Sequence, residues 1–162
     1  MNRLSAAALG TRTYADRSHR VFCSPRRVRF VESEYAVPLA SVADVLRELR
    51  AWYGRTRAPV QFPVEVRFVA ADDVWLSGAH GRETAYVAVH QYLGSPVGES
   101  FDAFERIVAE HDGRPHWGKQ HTLGVDRLRA VHPAMDDFLA VRDRLDPTRV
   151  LATPHLERIL GP

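Results

Sequence analysis

Apolar and polar positions interleave between Val28 and Val37, with Val28 and Phe30 on either side of Arg29. That is the period-two signature of a half-buried strand. A short strand is also predicted at Val21-Phe22-Cys23, ending in a turn at Ser24-Pro25. From Ser41 the period changes. Val42, Val45, Leu46, Leu49, Trp52 and Tyr53 recur at helical spacing and make one apolar stripe. Ser41 with Asp44 three residues on reads as a variant capping box at the start of that helix.

Alternation returns at 62–70, with Val64, Val66 and Phe68 on one face and Glu65 and Arg67 on the other. Asp72-Asp73 predicts a turn, Val74-Trp75-Leu76 a short apolar segment, and 84–92 a further strand rich in Val, Ala and Tyr. Ser100 opens a second helix that turns Phe101, Phe104, Ile107 and Val108 inward, and Gly113 is placed to end it as a C′ residue. Shorter helices are predicted at 125–131 and 133–145, stopped by Asp146-Pro147, with a last turn at 156–160. Strands and helices mix without a strict βαβ rhythm, so the expected fold class is α+β, an antiparallel sheet flanked by helices. Residues 1–18 carry little pattern and are expected to be poorly ordered; 19–162 is expected to form one domain.

Composition narrows the function classes. The chain has 162 residues, 45% of them hydrophobic and 26% charged, within the range of a globular domain. Its 22 basic and 20 acidic residues leave a net charge of only +2, which argues against nucleic acid as a partner. Cys23 stands alone, so no internal disulfide forms and a reducing, cytoplasmic location is expected. No segment approaches the roughly 18 apolar residues of a membrane-spanning helix, and the sequence gives no indication of membrane association.

Two segments offer chemistry. Glu65 and Arg67, two apart on a strand, share a face with Cα atoms roughly 6.5–7 Å apart. They read either as an ion pair on a solvated face or as a carboxylate and guanidinium directed at a substrate. In Arg114-Pro115-His116-Trp117-Gly118-Lys119, a strand or tight loop holds an imidazole and an ammonium on either side of a Trp-Gly pair. Lys119 there either lies exposed beside a buried Trp or stabilises negative charge developing on a substrate oxygen. His90 sits on the 84–92 strand with Tyr92 on the same face, and a lone strand histidine is more often structural than catalytic. The basic group Arg17, His19, Arg20, Arg26, Arg27 and Arg29 reads as a charged strand edge that discourages aggregation. The remaining histidines lack metal spacing and Cys23 has no nearby partner, so no metal site is expected, and the sequence shows no glycine-rich phosphate loop.

Together these blocks resemble a known family. The segments at 18–22, 28–38, 63–67, 75–77, 114–119 and 145–147 are similar, in order, to the C-terminal part of the aldonolactone and alditol oxidases. That family includes D-arabinono-1,4-lactone oxidase and L-gulonolactone oxidase, and its members are FAD-dependent oxidoreductases of the vanillyl-alcohol-oxidase type. The resemblance implies the cap, or substrate, domain of such an enzyme, without its N-terminal FAD-binding domain. It implies oxidation of a CH–OH group of a sugar lactone or alditol, with FAD as cofactor. By residue, it implies substrate contacts from Glu65, Arg67, Tyr92 and Lys119, catalytic roles for Lys119, Arg67, Glu65 and His90, and a flavin contact from His116.

His90 matches only with a small insertion, Tyr92 replaces a frequent Thr, and the 151–156 stretch departs from an Asn-aromatic pattern near the family's C-terminus. A lone cap domain is expected to pair with a separate FAD-binding domain or with itself. The alternatives are a truncated inactive remnant and a stand-alone polyol-binding module without flavin.

Overall fold

The computed structural model describes residues 13–23, 27–96 and 98–162. Its four-stranded sheet is wholly antiparallel, in the order β2-β3-β1-β4, which bears out the α+β expectation. The long strands β1 (Phe30–Pro38) and β3 (Thr84–Tyr92) lie in the middle and pair along their full lengths, from Phe30 opposite Tyr92 to Pro38 opposite Thr84. β2 (Glu65–Val69) lies outside β3, and β4 (Arg114–Pro115) caps the other edge at Tyr35 and Ala36. Both inner strands are buried on each face over much of their length, which explains their Val, Ala and Tyr content.

One face of the sheet is the main core. Tyr35 and Val37 of β1 and Ala85, Val87 and Val89 of β3 pack under two helices, α2 (Val42–Thr56) and α3 (Gly98–Ala109). The stripe read from the sequence supplies Val45 and Leu49 from α2, and α3 adds Phe104 and Val108. Each such side chain contributes roughly 1.5–3 kcal/mol on burial. A second cluster joins α4 (Val125–Val131), α5 (Met135–Leu145) and α6 (Pro154–Leu160) through Leu128, Met135, Leu139 and Ile159, with Trp117 and Leu76 against it. Arg114 ties the sheet to this cluster by donating from Nε to the carbonyl of Val131, at the end of α4.

Several local expectations are corrected. The segment predicted as a strand at Val21–Cys23 is instead the end of a short helix, α1 (Ser18–Phe22), and the turn at Ser24-Pro25 lies outside the described residues. The capping box does not form. A 3-10 turn at Leu39–Ser41 feeds α2, so Ser41 already has helical φ −89° and ψ −10°, and its side chain makes no capping bond. Asp44 pairs with Arg47 instead.

At the end of α3 the left-handed residue is Asp112, with φ 52°, and Gly113 has no positive φ. Gly113 is required for a different reason: a Cβ there would lie 2.6 Å from the carbonyl oxygen of Val108. Phe68, expected to face inward, is 68% exposed, because β2 runs beyond the helices that cover its neighbours Val64 and Val66. Of the basic group, Arg17, His19 and Arg20 belong to the start and body of α1 and are exposed, not to a strand edge; Arg29 directly precedes β1, and Arg26 lies outside the described residues.

Candidate active site

Strand parity carries the site. In register, Glu32 lies opposite His90, Glu34 opposite Ala88, and Ala88 opposite Glu65, with Arg67 opposite Tyr86. Side chains opposite one another on neighbouring strands share a face, so these residues stand together on the side of the sheet away from the main core. Of the expected site residues, Glu65, Arg67, His90 and Tyr92 are therefore brought onto one surface. Lys119 joins them from the segment after β4.

The segment's backbone explains how. His116 N–H donates to the carbonyl of Glu34 at 2.9 Å, and Gln120 N–H donates to that of Glu32, also at 2.9 Å. The intervening turn is pinned by Trp117, whose indole N–H donates to Leu76 O at 2.8 Å while its ring lies against His132. Lys119 N–H closes the turn on His116 O at 3.0 Å. His116 is oriented by Gly118, whose N–H donates to Nδ1 at 3.1 Å. An accepting Nδ1 belongs to the neutral ring, which leaves Nε2 carrying the hydrogen.

Charge is arranged in two linked groups. Arg67 forms an ion pair with Glu34 through Nη2, its Nε stands 3.4 Å from Glu65, and its guanidinium carbon lies 5.5 Å from the centre of the Tyr86 ring. Lys119 forms an ion pair with Glu32, whose other oxygen is 3.4 Å from His90 Nε2. The hydrogen bond it donates to Glu34 holds the Arg67 guanidinium above its ordinary pKa, against an opposing push from burial. The Glu34 side chain is only 1% exposed against 52% for Arg67, so the carboxylate lies within the fold and the guanidinium reaches toward solvent. Glu34 Oε2 and His90 Nδ1 are buried with no partner among the described residues.

Glu32 and Glu34 complete this charged cluster, and neither is among the candidates read from the sequence. Their signal was present: two acidic residues two apart in the strand segment Val31-Glu32-Ser33-Glu34-Tyr35 must share a face. The alternation of Val28 and Phe30 around Arg29 also has a different outcome from a simple core strand. Phe30 faces this surface, its ring 5.1 Å from His90 and 5.7 Å from Phe62. Phe62 in turn lies 4.5 Å from Tyr92, which is 45% exposed. Phe30, Phe62, Pro63, Val64, Glu65 and His90 line a cleft of about 660 Å³ beside the charged groups. A more apolar cavity of about 480 Å³ lies among α5, α6 and the C-terminal residues, away from the sheet. Its guanidiniums are occupied there: Arg142 donates to the carbonyls of Leu160 and Gly161, and Arg149 to Asp143.

Comparison with known proteins identifies the family of the chain. The family profile described as D-arabinono-1,4-lactone oxidase matches residues 1–159. The chain belongs to that family. It is 45% identical over its whole length to an L-gulono-1,4-lactone dehydrogenase of Mycobacterium tuberculosis, covering 38% of that protein. It is 37% identical over 133 residues to an alditol oxidase of a Streptomyces species, covering 80% of this chain and 31% of the oxidase. An L-gulonolactone oxidase of Bos taurus is 30% identical over 157 residues, covering 93% of this chain and 35% of the relative. The chain thus spans less than two-fifths of the length of these relatives. Among the described residues, no helix is long and apolar enough to cross a membrane, and no group of three or more His, Cys, Asp or Glu is placed to hold a metal ion.

Proposed function

We propose that this chain supplies the substrate-contacting surface of a flavin-dependent oxidoreductase that acts on a CH–OH group of a sugar lactone or alditol. The observation that carries the reading is the convergence of Glu65, Arg67, His90 and Lys119 on one sheet face beside an open cleft. A guanidinium has five N–H donors and an ammonium three, so Arg67 and Lys119 each keep donors after their ion pairs. Those donors bind substrate oxygens and stabilise alkoxide character as a hydroxyl loses its proton; one well-placed donor of this kind is commonly worth about 3–4 kcal/mol. Glu65, half exposed, accepts from neighbouring hydroxyls. Tyr92 and Phe62 provide an aromatic wall against which the carbon skeleton lies. Glu34 Oε2 and His90 Nδ1, left without partners, are the kind of deficit that a hydroxyl-rich ligand relieves.

FAD bound beside this face would supply the acceptor for a hydride from the substrate carbon. The described residues fit one edge of such a cofactor and not its phosphates. His116, oriented by Gly118 and on the same turn as Lys119, presents Nε2 for a ring contact. No glycine-rich cradle for a pyrophosphate occurs among the described residues. The pyrophosphate grip is therefore assigned to another body, either an FAD-binding domain or a partner chain. Exposed Phe68 on β2, and exposed Val74 and Trp75 in the segment between β2 and β3, support a covering of that kind.

Calorimetric titration of the chain with L-gulono-1,4-lactone, D-arabinono-1,4-lactone and xylitol tests the reading. Saturable binding of at least one of them, lost in Lys119→Met while the melting curve is retained, supports it. Binding that Lys119→Met leaves unchanged contradicts it.

A further inference from the structure

The signs of the charges on this face say something about the ligand that the family resemblance does not. Three carboxylates, Glu32, Glu34 and Glu65, face two cations, Arg67 and Lys119, which leaves the linked group at −1. His116 adds nothing, because its Nδ1 accepts a hydrogen bond. The cationic side chains therefore do not outnumber the carboxylates they face. Arg27 stands at the rim of the cleft, where it is exposed and screened by solvent. Arg82 and Arg114, nearer the Ala36–Tyr86 end, are occupied by the carbonyls of Ala36 and Asp112 and of Gly78, His80 and Val131 respectively.

Burial makes this arrangement selective. Each cation is paired with a carboxylate less exposed than itself: Glu34 beneath Arg67, and Glu32, at 12% side-chain exposure, beneath Lys119 at 28%. An anionic ligand that uses the spare donors of either cation is brought against a carboxylate that water screens little, at 1% exposure for Glu34 and 12% for Glu32. An uncharged hydroxyl or carbonyl oxygen uses the same donors without that repulsion.

We infer that Glu32 and Glu34 determine specificity, neutralising Lys119 and Arg67 from within the sheet so that the site takes uncharged polyhydroxylated ligands and rejects aldonates. The distinction matters chemically. A sugar lactone in water opens by hydrolysis to its aldonate, which keeps the same carbon skeleton and hydroxyls and gains one negative charge. Shape separates the two poorly; charge separates them well.

This inference rests on the proposed function, and one experiment distinguishes their failures. The 162-residue chain is titrated with L-gulono-1,4-lactone, with L-gulonate and with xylitol, alongside Glu32→Gln and Glu34→Gln. The unaltered chain is expected to prefer the lactone to the aldonate by at least about tenfold. Glu32→Gln is expected to narrow that ratio by strengthening aldonate binding, most clearly at low salt. Equal lactone and aldonate affinity in the unaltered chain overturns this inference and leaves the proposed function standing. A narrowed ratio in neither variant overturns the assignment to these two residues. Absence of lactone and xylitol binding overturns the proposed function and this inference with it. Should a Glu→Gln chain fail to fold, the ratio measured on the unaltered chain decides alone.

Discussion

Arg67 and Glu34 close an ion pair across the full width of strand β3. They lie on strands two apart, about 9.5 Å at the usual spacing, and the β3 residue in register with Glu34 is Ala88. A small side chain at 88 leaves the surface open for a long guanidinium to reach a buried carboxylate. The pair is therefore a property of three strands, and its two ends differ sharply in exposure.

That difference predicts unequal costs. Arg67→Ala leaves a buried carboxylate without its partner, and is expected to cost about 3 kcal/mol, the lower end for a broken buried pair because water enters the vacated space. Glu34→Gln leaves a half-exposed guanidinium that water solvates, and should cost about 1 kcal/mol. The double variant should recover part of the Arg67→Ala loss. Urea unfolding of the four chains checks this; equal single costs that simply add would contradict it.

Two glycines are expected to respond in opposite directions. Gly113→Ala pushes a Cβ against the Val108 carbonyl and should lower stability by about 1–3 kcal/mol. Gly54 lies in the exposed last turns of α2, and a Cβ added there would meet nothing within 4 Å. Gly54→Ala should raise stability by about 0.5–1 kcal/mol through helix propensity. Thermal melts of both variants give the signs directly.

Acid should weaken the fold through His132. Its ring is buried against Trp117, with neither nitrogen hydrogen-bonded. Burial first, then the nearby charges of Arg114, Arg82 and His80, push its pKa down to about 4. The unfolded chain takes up this proton as pH falls below about 6.5, while the folded chain stays neutral until about 4. The contribution is complete above pH 6.5 and is lost on the way down to pH 4, by up to about 3 kcal/mol. His132→Phe should flatten the fall in urea midpoint between about pH 7 and about pH 5. An unchanged slope would show that other groups govern it.

The Lys119 turn should depend on Trp117. Trp117→Phe keeps a ring against His132 but removes the hydrogen bond to Leu76 O, a loss of about 1 kcal/mol. Amide exchange at Gly118 and Lys119 should quicken in this variant while exchange in β3 does not. Uniform acceleration throughout the sheet would contradict a local role.

Much of this was legible in the sequence, for reasons that are local. The β3 strand runs over 84–92 and α4 over 125–131 as the periodicity required, because each pattern was bounded by turn residues. The helix carrying Val45 and Leu49 was readable from its stripe even though its capping box failed. What periodicity could not supply was which face of a strand is covered and which strands are neighbours. Glu32 and Glu34 share a face by parity, but that this face meets Arg67 follows only from the order β2-β3-β1. Phe68 illustrates the same limit, since alternation puts it with Val64 and Val66 and only the reach of the helices leaves it bare.

The most direct test of the sheet face as a lactone site is a nuclear magnetic resonance titration of the labelled chain with L-gulono-1,4-lactone, following side-chain as well as backbone signals. Saturable shifts are expected at Arg67 Nε–H, the Lys119 ammonium methylene, the His90 ring, Glu65 and Tyr92, with the groove among α5, α6 and the C-terminal residues unmoved. Shifts confined to that groove, or none at the sheet face at saturating lactone, would contradict it.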